Sequence, residues 1–134
     1  MERTLLTVKP DAIEDRHVGE IISIIEKKGI TIKNMKMETF SKERAEDFYK
    51  IHYDQPYFER LVKFMISGPI IAMVLEHNNC IEYVREIIGA TDPKEAAKGT
   101  VRKLFARNVT QNAVHASDSL ENAKTEIAFI FGEK

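Results

Sequence analysis

The sequence predicts an α+β fold in which a small, mostly antiparallel sheet is covered by helices. Short apolar stretches typical of strands alternate with amphipathic stretches typical of helices. Their order along the chain is β-α-β-α-α-β-α-loop-β-α. This order matches a ferredoxin-like β-α-β-β-α-β sandwich if the two helices predicted at 42–66 are an insertion.

The first part of the chain predicts a strand, a helix and a second strand. Residues 4–8 (TLLTV) indicate a buried strand that ends at Lys9-Pro10. Apolar residues recur at helical spacing from Val18 to Ile25, and Gly29 provides a C-terminal stop. Alternation over 30–39 predicts the second strand. The apolar residues shift from even to odd positions near Asn34, which indicates a bulge or a change of face.

Two short helices are predicted before the third strand. Ser41 can cap the first of them. One face of this helix carries Ala45, Phe48, Tyr49 and His52. Gln55-Pro56 interrupts the pattern, and a second amphipathic helix runs from Phe58 to Met65 before Gly68-Pro69.

The remaining elements lead to the end of the chain. Residues 70–75 (IIAMVL) predict a central strand covered on both faces. The next helix stops at Gly89, and a long irregular segment follows over 90–112, with one helical turn near 101–106. Ala113-Val114 predict a short strand ahead of His115. We expect the final helix to begin near Asp118, with Glu121 completing a capping box.

Length and composition indicate one globular domain over residues 1–134. The net charge of −1 gives no overall attraction to nucleic acid or to membranes. Cys80 is the only cysteine, which excludes an intrachain disulfide and suits a reducing compartment. We find no signal-peptide pattern in MERTLLTVKPD and no apolar run of the roughly 18 residues that a membrane span needs. We therefore expect a cytoplasmic protein that requires neither a membrane nor a nucleic acid.

The string NAVHASDS at 112–119 is the strongest chemical signal. The segment from Ala96 to Ser117, which contains His115, has no Asp or Glu, so it favours anions. Its lysines and arginines are Lys98, Arg102, Lys103 and Arg107. Imidazole is a good nucleophile near neutral pH, and a neighbouring carboxylate or carbonyl can fix which nitrogen attacks. We therefore predict that His115 accepts a phosphoryl group, whereas His17 and His77 lie in charged surroundings typical of the surface.

Side chains, rather than a glycine-rich loop, would hold a nucleotide here. The sequence has no GxxxxGK[ST] or GxGxxG motif, and its histidines and cysteine lack the spacing of a structural zinc site. Lys9, Arg85 and Arg102 are the candidate phosphate ligands, because a guanidinium pairs with two phosphate oxygens and Lys9 follows a strand end directly. A plain strand-ending turn explains Lys9-Pro10-Asp11 equally well. Tyr57 and Phe58 differ in direction by about 100° on a helix, so only one ring would face a ligand.

Two alternative functions fit parts of the sequence. The basic segment and the aromatic residues permit a non-catalytic ferredoxin-like module that binds nucleotide or nucleic acid as a regulator. Ser117, His115 and Asp118 could form a hydrolase trio, although residues so close in sequence rarely adopt triad geometry and no nucleophile elbow is present. Only the phosphoryl-transfer hypothesis predicts an acid-labile, base-stable phosphate on the protein after incubation with ATP and Mg²⁺.

Several motifs coincide in order and spacing, and together the chain resembles nucleoside diphosphate kinases from end to end. The matching strings are VKPD at 8–11, VGEI at 18–21, PYF at 56–58, LVKFMISGPIIAMVLE at 61–76, GATDP at 89–93, GTVR at 99–102 and NAVHASDS at 112–119. The resemblance implies a ferredoxin-like sandwich with a long nucleotide-binding loop. It also implies homo-oligomers, either hexamers or tetramers, that are built from dimers.

The resemblance further implies a reversible ping-pong reaction. A nucleoside triphosphate would give its γ-phosphoryl group to His115, through Nδ1, and a nucleoside diphosphate would then take it. The implied catalytic residues are Lys9, Tyr49, Asn112, His115, Ser117 and Glu126. The implied nucleotide-binding residues are Lys9, His52, Tyr57, Leu61, Arg85, Thr91, Arg102, Val109 and Asn112. Mg²⁺ would be carried mainly by the phosphates, without a protein metal site.

Within this resemblance, Glu126 and Ser117 would hold the imidazole, and Tyr57 and Val109 would sandwich the base. Some positions depart from the common family pattern. Tyr57 stands where Phe is usual, and Ala12 and Ala116 stand where Gly is frequent. Lys103-Leu104 stands where the family pattern often has an acidic residue, so the nucleotide loop lacks that acid. We also expect a chain without the C-terminal extension that braces subunits in some members, which leaves both oligomer types open.

Overall fold

The sheet of this protein is built from strands that lie far apart in the sequence. The structure, a computed structural model, describes residues 1–132. Within them the strands are β1 (Glu2–Val8), β2 (Thr31–Glu38), β3 (Ile70–His77) and β4 (Val114–Ala116). They form a sheet in the order β2-β3-β1-β4, with every neighbouring pair antiparallel. This arrangement confirms the predicted α+β, ferredoxin-like plan and places β3 at the centre.

Helices connect the strands and cover both faces of the sheet. They are α1 (Pro10–Glu14), α2 (Val18–Lys27), α3 (Lys42–Phe48), α4 (Phe58–Met65), α5 (Cys80–Ile88), α6 (Val101–Phe105) and α7 (Leu120–Phe131). A 3₁₀ turn at Lys50–His52 separates α3 from α4. The pair α3 and α4 is the insertion between β2 and β3 that the sequence predicts.

The core is divided by the sheet into two apolar layers. Successive residues of a strand face opposite sides, so Leu6 and Leu75 pack with α2 and α5, while Leu5 and Val74 pack with α3, α4 and α7. The central strands are therefore apolar on both faces. β2 lies at an edge, and its register against β3 shifts between Ile32 and Asn34, which confirms the predicted irregularity.

Four details differ from the sequence prediction. Residues 10–14 form the helix α1 rather than a plain turn, with Pro10 at its first position. His52 lies in the 3₁₀ turn rather than on α3. His115 lies within β4 rather than after it. The cap of α7 is Ser119, not Asp118, because the Ser119 hydroxyl accepts the Asn122 N–H at 3.0 Å.

Within residues 1–132, no helix has the length and apolar character needed to cross a bilayer. The longest helix, α7, has 12 residues.

Gly89 joins α5 to the segment that carries α6. Its φ of 87° and ψ of 179° lie in a region that only glycine adopts readily. A Cβ at this position would lie 2.6 Å from Oγ1 of Thr100, the residue that caps α6. Gly89 therefore permits both the sharp turn and the close approach of α6 to α5.

We predict that Gly89→Ala lowers the free energy of unfolding by roughly 2 kcal/mol or more, because backbone strain and overpacking add. Gly99→Ala is the matched control. Gly99 also has a positive φ, of 88°, but the space within 4 Å of a Cβ at this position is open. Urea denaturation at one protein concentration measures both losses. Equal losses for the two variants would refute the close-contact argument.

Candidate active site

A cavity of about 420 Å³ lies beside β4, between the α3–α4 insertion and the loop that precedes β4. Every site residue predicted from the sequence, except Ser117, lines it. The lining members of that set are Lys9, Tyr49, His52, Tyr57, Leu61, Arg85, Thr91, Arg102, Val109, Asn112, His115 and Glu126. A larger cavity of about 910 Å³, near Met1 and Lys124, contains none of them. The smaller cavity is therefore the candidate site.

His115 has one ring nitrogen engaged and the other available. Its Nε2 lies 3.4 Å from Oε1 of Glu126, a long contact, and the side chain is 26% exposed. The Ser117 hydroxyl donates to the same Glu126 oxygen at 2.6 Å. No hydrogen bond to Nδ1 occurs among the described residues. Glu126 on α7 thus contacts the imidazole at Nε2 only, and Ser117 orients Glu126 without lining the cavity.

Two aromatic rings flank the His115 imidazole. The centroids of Phe48 and Tyr49 each lie 6.0 Å from it, in edge-on geometry. Tyr49 is buried, and its hydroxyl has no hydrogen-bond partner in the described part of the chain. Burial, with a smaller contribution from the negative charge of Glu126, raises the pKa of this hydroxyl. Tyr49 therefore stays neutral as a wall of the site.

Lys9 is a buried cation held by neutral oxygen atoms. Its Nζ donates to the Thr110 carbonyl and to Oδ1 of Asn112, both at 2.8 Å. Burial lowers the Lys9 pKa to about 8; the charge of Asp11 opposes the shift, and the charge of Arg102 adds to it. An ammonium group has three N–H donors, so one remains for a ligand.

The backbone before β4 is strained and is held by residues that follow β1. Ala113 has a φ of 73°, which is uncommon for any residue other than glycine. Its N–H donates to Oδ2 of Asp11 at 3.0 Å, and its carbonyl accepts the Lys9 N–H at 2.9 Å. Burial raises the Asp11 pKa, against the effects of this hydrogen bond and of Lys9. The sequence drew attention to Lys9 but not to this role of Asp11.

Arg102 combines a structural role with a cationic one. Its Nη1 and Nη2 donate to the carbonyls of Gly89 and Val114, at 3.0 and 2.9 Å. Burial and the nearby charge of Arg85 lower the Arg102 pKa to about 10. Both arginines line the cavity, and with Lys9 they make it electropositive. The site can therefore bind a polyanion next to a free imidazole nitrogen.

A sequence model of the nucleoside diphosphate kinase family matches residues 2–134. The chain belongs to this family. The nucleoside diphosphate kinase of Chlamydia abortus is 53% identical over 133 residues, which cover 99% of this chain and 94% of that protein. The enzyme of Chlamydia trachomatis serovar D is 50% identical with the same coverage.

Solved structures of nucleoside diphosphate kinases agree with the fold. A crystal form of the Aquifex aeolicus enzyme has a TM-score of 0.96 at 48% identity and covers 97% of this chain and 94% of that chain. The enzyme of Encephalitozoon cuniculi has a TM-score of 0.96 at 35% identity, with 99% and 90% coverage. The chain is thus a phosphotransferase that acts on nucleoside diphosphates and triphosphates.

Nucleoside diphosphate kinases generally require a divalent metal ion. No group of three or more His, Cys, Asp or Glu side chains in residues 1–132 is arranged to hold one. In the described part of the chain, only Asp118 and Glu126 contribute carboxylates to the cavity wall. Glu126 is engaged by Ser117, and Asp118 accepts a hydrogen bond from the Asn122 side chain.

The cavity also contains residues that the sequence did not assign to the nucleotide site. They are Phe48, Ile51, Arg60, Thr110, Val114, Ala116, Asp118 and Asn122. Periodicity assigned Phe48 to a helix face and gave Arg60 no role. Periodicity does not show which elements face the α3–α4 insertion. The hydrolase trio does not assemble, since Ser117 bonds to Glu126 rather than to His115.

Only one of the four basic residues between 96 and 117, Arg102, lines the cavity. Arg107 instead faces away and ties the loop before β4 to the end of α1. Its guanidinium donates to both carboxylate oxygens of Asp15, to Oε1 of Glu14 at 3.0 Å and to Oε1 of Gln111 at 2.9 Å. The hydrogen bond from Arg107 lowers the Asp15 pKa. The inner side of this loop carries Val109 and is held by Lys9 through the Thr110 carbonyl.

We predict that Arg107→Gln raises the KM for nucleoside diphosphates several-fold with little change in kcat. Loss of the contacts with Glu14 and Asp15 frees the loop that carries Val109, so ordering it on binding costs more free energy. Amide hydrogen exchange over 107–111 should accelerate. Lys98→Gln, which removes a charge from the same segment, is the control. An unchanged exchange rate in Arg107→Gln would contradict the role of this anchor.

Proposed function

We propose that His115 is the nucleophile through which phosphoryl groups pass between nucleotides. The observation that carries this proposal is the asymmetry of its ring: Nε2 faces Glu126, Nδ1 has no hydrogen bond among the described residues, and His115 lines the same cavity as Lys9, Arg85 and Arg102. A neutral imidazole protonated at Nε2 has its lone pair on Nδ1. This tautomer is the one that the Glu126 carboxylate favours.

The reaction has two symmetric steps. In the first, the Nδ1 lone pair of His115 attacks the γ-phosphorus, and the bond from this phosphorus to the β,γ-bridging oxygen breaks. The nucleoside diphosphate leaves with that electron pair. In the second, a terminal oxygen of another nucleoside diphosphate attacks the same phosphorus, and the bond to Nδ1 breaks. The Nε2 proton stays in place, and Glu126 stabilises the cationic ring.

The cations of the cavity would bind and align the polyphosphate. Arg85, Arg102, Thr91 and His52 are the proposed phosphate contacts, and Lys9 and Asn112 would reach the ribose and phosphates. Most of the rate enhancement would then come from alignment and charge neutralisation. Arg102 suits this role because its position is already determined by the Gly89 and Val114 carbonyls.

Two side chains would hold the base at the mouth of the cavity. Tyr57 and Val109, with Leu61 beside them, line the cavity, and Val109 is 51% exposed although it is apolar. Contacts with the two faces of the base do not recognise the hydrogen-bonding groups on its edge. This geometry supports acceptance of several bases.

Mg²⁺ is the proposed divalent ion, bound mainly by the nucleotide phosphates. The residues of the site fit this arrangement, because its donors are mostly cationic or neutral and its two carboxylates are engaged within the protein. The ion would neutralise charge that develops on the phosphate oxygens. Lys9, Arg85 and Arg102 would supply the remaining positive charge.

We further propose a single domain over 1–134 that works in the cytoplasm as a homo-oligomer, a hexamer or a tetramer built from dimers. The open edge of β2 supports assembly, because Met35 and Met37 are 45% and 61% exposed there. The buried, unpaired Cys80 suits a reducing compartment. A nucleic acid partner is not required.

We predict that His115→Ala abolishes exchange of phosphate between ATP and a second nucleoside diphosphate while the protein stays folded. Incubation of the unaltered protein with ATP and Mg²⁺ should yield an acid-labile, base-stable phosphate, and the variant should yield none. His77→Ala, at the half-buried end of β3 and outside the cavity lining, is the control and should behave like the unaltered protein. Exchange at the normal rate by His115→Ala would exclude this nucleophile.

We also predict that the KM for nucleoside diphosphates rises as the pH increases through about 8. Burial lowers the Lys9 pKa to about 8, so the ammonium that attracts phosphate is present below this pH and is lost above it. Bound nucleotide favours the charged form of Lys9 and therefore raises its pKa in the complex. Lys9→Met, uncharged at every pH, should have a high KM that changes little between pH 7 and roughly 9, where Arg102 is still charged. An identical dependence of KM on pH in both proteins would show that Lys9 does not bind the phosphates.

A further inference from the structure

A hydrogen bond joins two cavity residues that the proposed function assigns to different parts of the nucleotide. The Tyr57 hydroxyl lies 2.8 Å from Nδ1 of His52, and the ring centroids are 5.6 Å apart. Both side chains line the cavity. Tyr57 would stack on the base, whereas His52 would contact phosphate.

The backbone between these residues is held in a closed turn, so their contact is built into the fold. The Gln55 N–H donates to the His52 carbonyl at 2.9 Å, and the Phe58 N–H donates to the Gln55 carbonyl at 3.1 Å. His52 ends the 3₁₀ turn, and Tyr57 immediately precedes α4. Phe58 is buried in the apolar layer below. The burial of Phe58 leaves the Tyr57 ring directed to the cavity.

Stacking on a base needs the ring of Tyr57 but not its hydroxyl. A phenylalanine ring offers the same π-face and nearly the same area. The hydroxyl must therefore be explained by its own contact. Among the described residues, His52 is its hydrogen-bond partner.

The direction of this hydrogen bond decides what His52 offers to an anion. A phenol donates readily, and the unprotonated nitrogen of a neutral imidazole accepts. With Nδ1 accepting, the proton of the ring is on Nε2. The opposite tautomer would place a lone pair at Nε2, which repels phosphate oxygens.

We propose that Tyr57 is a positioning residue whose hydroxyl orients His52 to present Nε2–H to the nucleotide phosphates. This proposal rests on the proposed function, in that the cavity holds the nucleotide. The hydroxyl links the base-stacking and phosphate-binding subsites into one unit. Because His52 is oriented in the same way before and during transfer, the hydrogen bond strengthens nucleotide binding without selectively stabilising the transition state.

The experiment compares four variants. Tyr57→Phe removes only the hydroxyl. His52→Gln keeps an N–H donor near the position of Nε2 and removes the acceptor at Nδ1. The third variant combines both changes. Tyr53→Phe is the matched control, because Tyr53 belongs to the same segment but is 76% exposed and lies outside the cavity lining.

Steady-state kinetics should separate the effects. We expect Tyr57→Phe to raise the KM for a nucleoside diphosphate roughly two- to tenfold, the range for loss of one hydrogen bond, with kcat unchanged. In the His52→Gln background the same change should have no further effect. Tyr53→Phe should leave KM and kcat unaltered. An equal rise in KM in both backgrounds would show that the hydroxyl does not act through His52, and no rise in either would overturn the proposal.

A second measurement does not depend on catalysis. In the nucleotide-free protein with neutral histidines, ¹⁵N NMR distinguishes a protonated ring nitrogen from a bare one, and the His52→Gln spectrum identifies the His52 signals. We expect Nε2 protonated and Nδ1 bare, with both shifts moving toward averaged values in Tyr57→Phe. Unchanged His52 signals in Tyr57→Phe would exclude the hydrogen bond even if His115 is the nucleophile. Failure of the proposed function would instead appear as exchange that survives His115→Ala.

Discussion

The left-handed backbone of Ala113 is the constraint on which the site depends. Both polar groups of this residue are bound by the segment that follows β1, through the Asp11 carboxylate of α1 and the N–H of Lys9. β4 begins at the next residue and pairs with β1 over only three residues, which is too few ladder bonds to determine its position alone. The restraint at Ala113 therefore decides where β4 starts and which way His115 faces.

Two positively charged side chains are buried near Ala113. Lys9 and Arg102 are 5% and 8% exposed, and burial lowers the pKa of both. Burying a cation is unfavourable unless its donors are satisfied and its charge is balanced. Carbonyl and amide oxygens satisfy some of the donors here, but within residues 1–132 the negative charge that opposes the pKa shift of Lys9 comes from Asp11 alone. In the proposed function a bound polyphosphate would supply the rest, so the site would favour the bound protein at some cost to the stability of the free protein.

Local patterns predicted most of the fold because they report burial over a few residues. The isoleucines of α2, the glycine after α5 and the apolar run of β3 each lie where the sequence placed them. The features that the sequence predicted wrongly have a different cause. A five-residue helix such as α1 contains too few positions to show a period. The choice between Asp118 and Ser119 as a cap depends on which oxygen reaches the Asn122 N–H.

The sequence by itself determined the order of the strands and longer helices, the two apolar faces of the sheet and the family, because periodicity and motif spacing are properties of the chain alone. Only the tertiary structure decided how the cavity residues meet. It turned Arg102 inward and Arg107 outward within one basic segment, placed Nε2 of His115 against Glu126, and brought the Tyr57 hydroxyl to His52. These contacts depend on the orientation of packed elements to within a few tenths of an ångström, and no local pattern encodes that orientation.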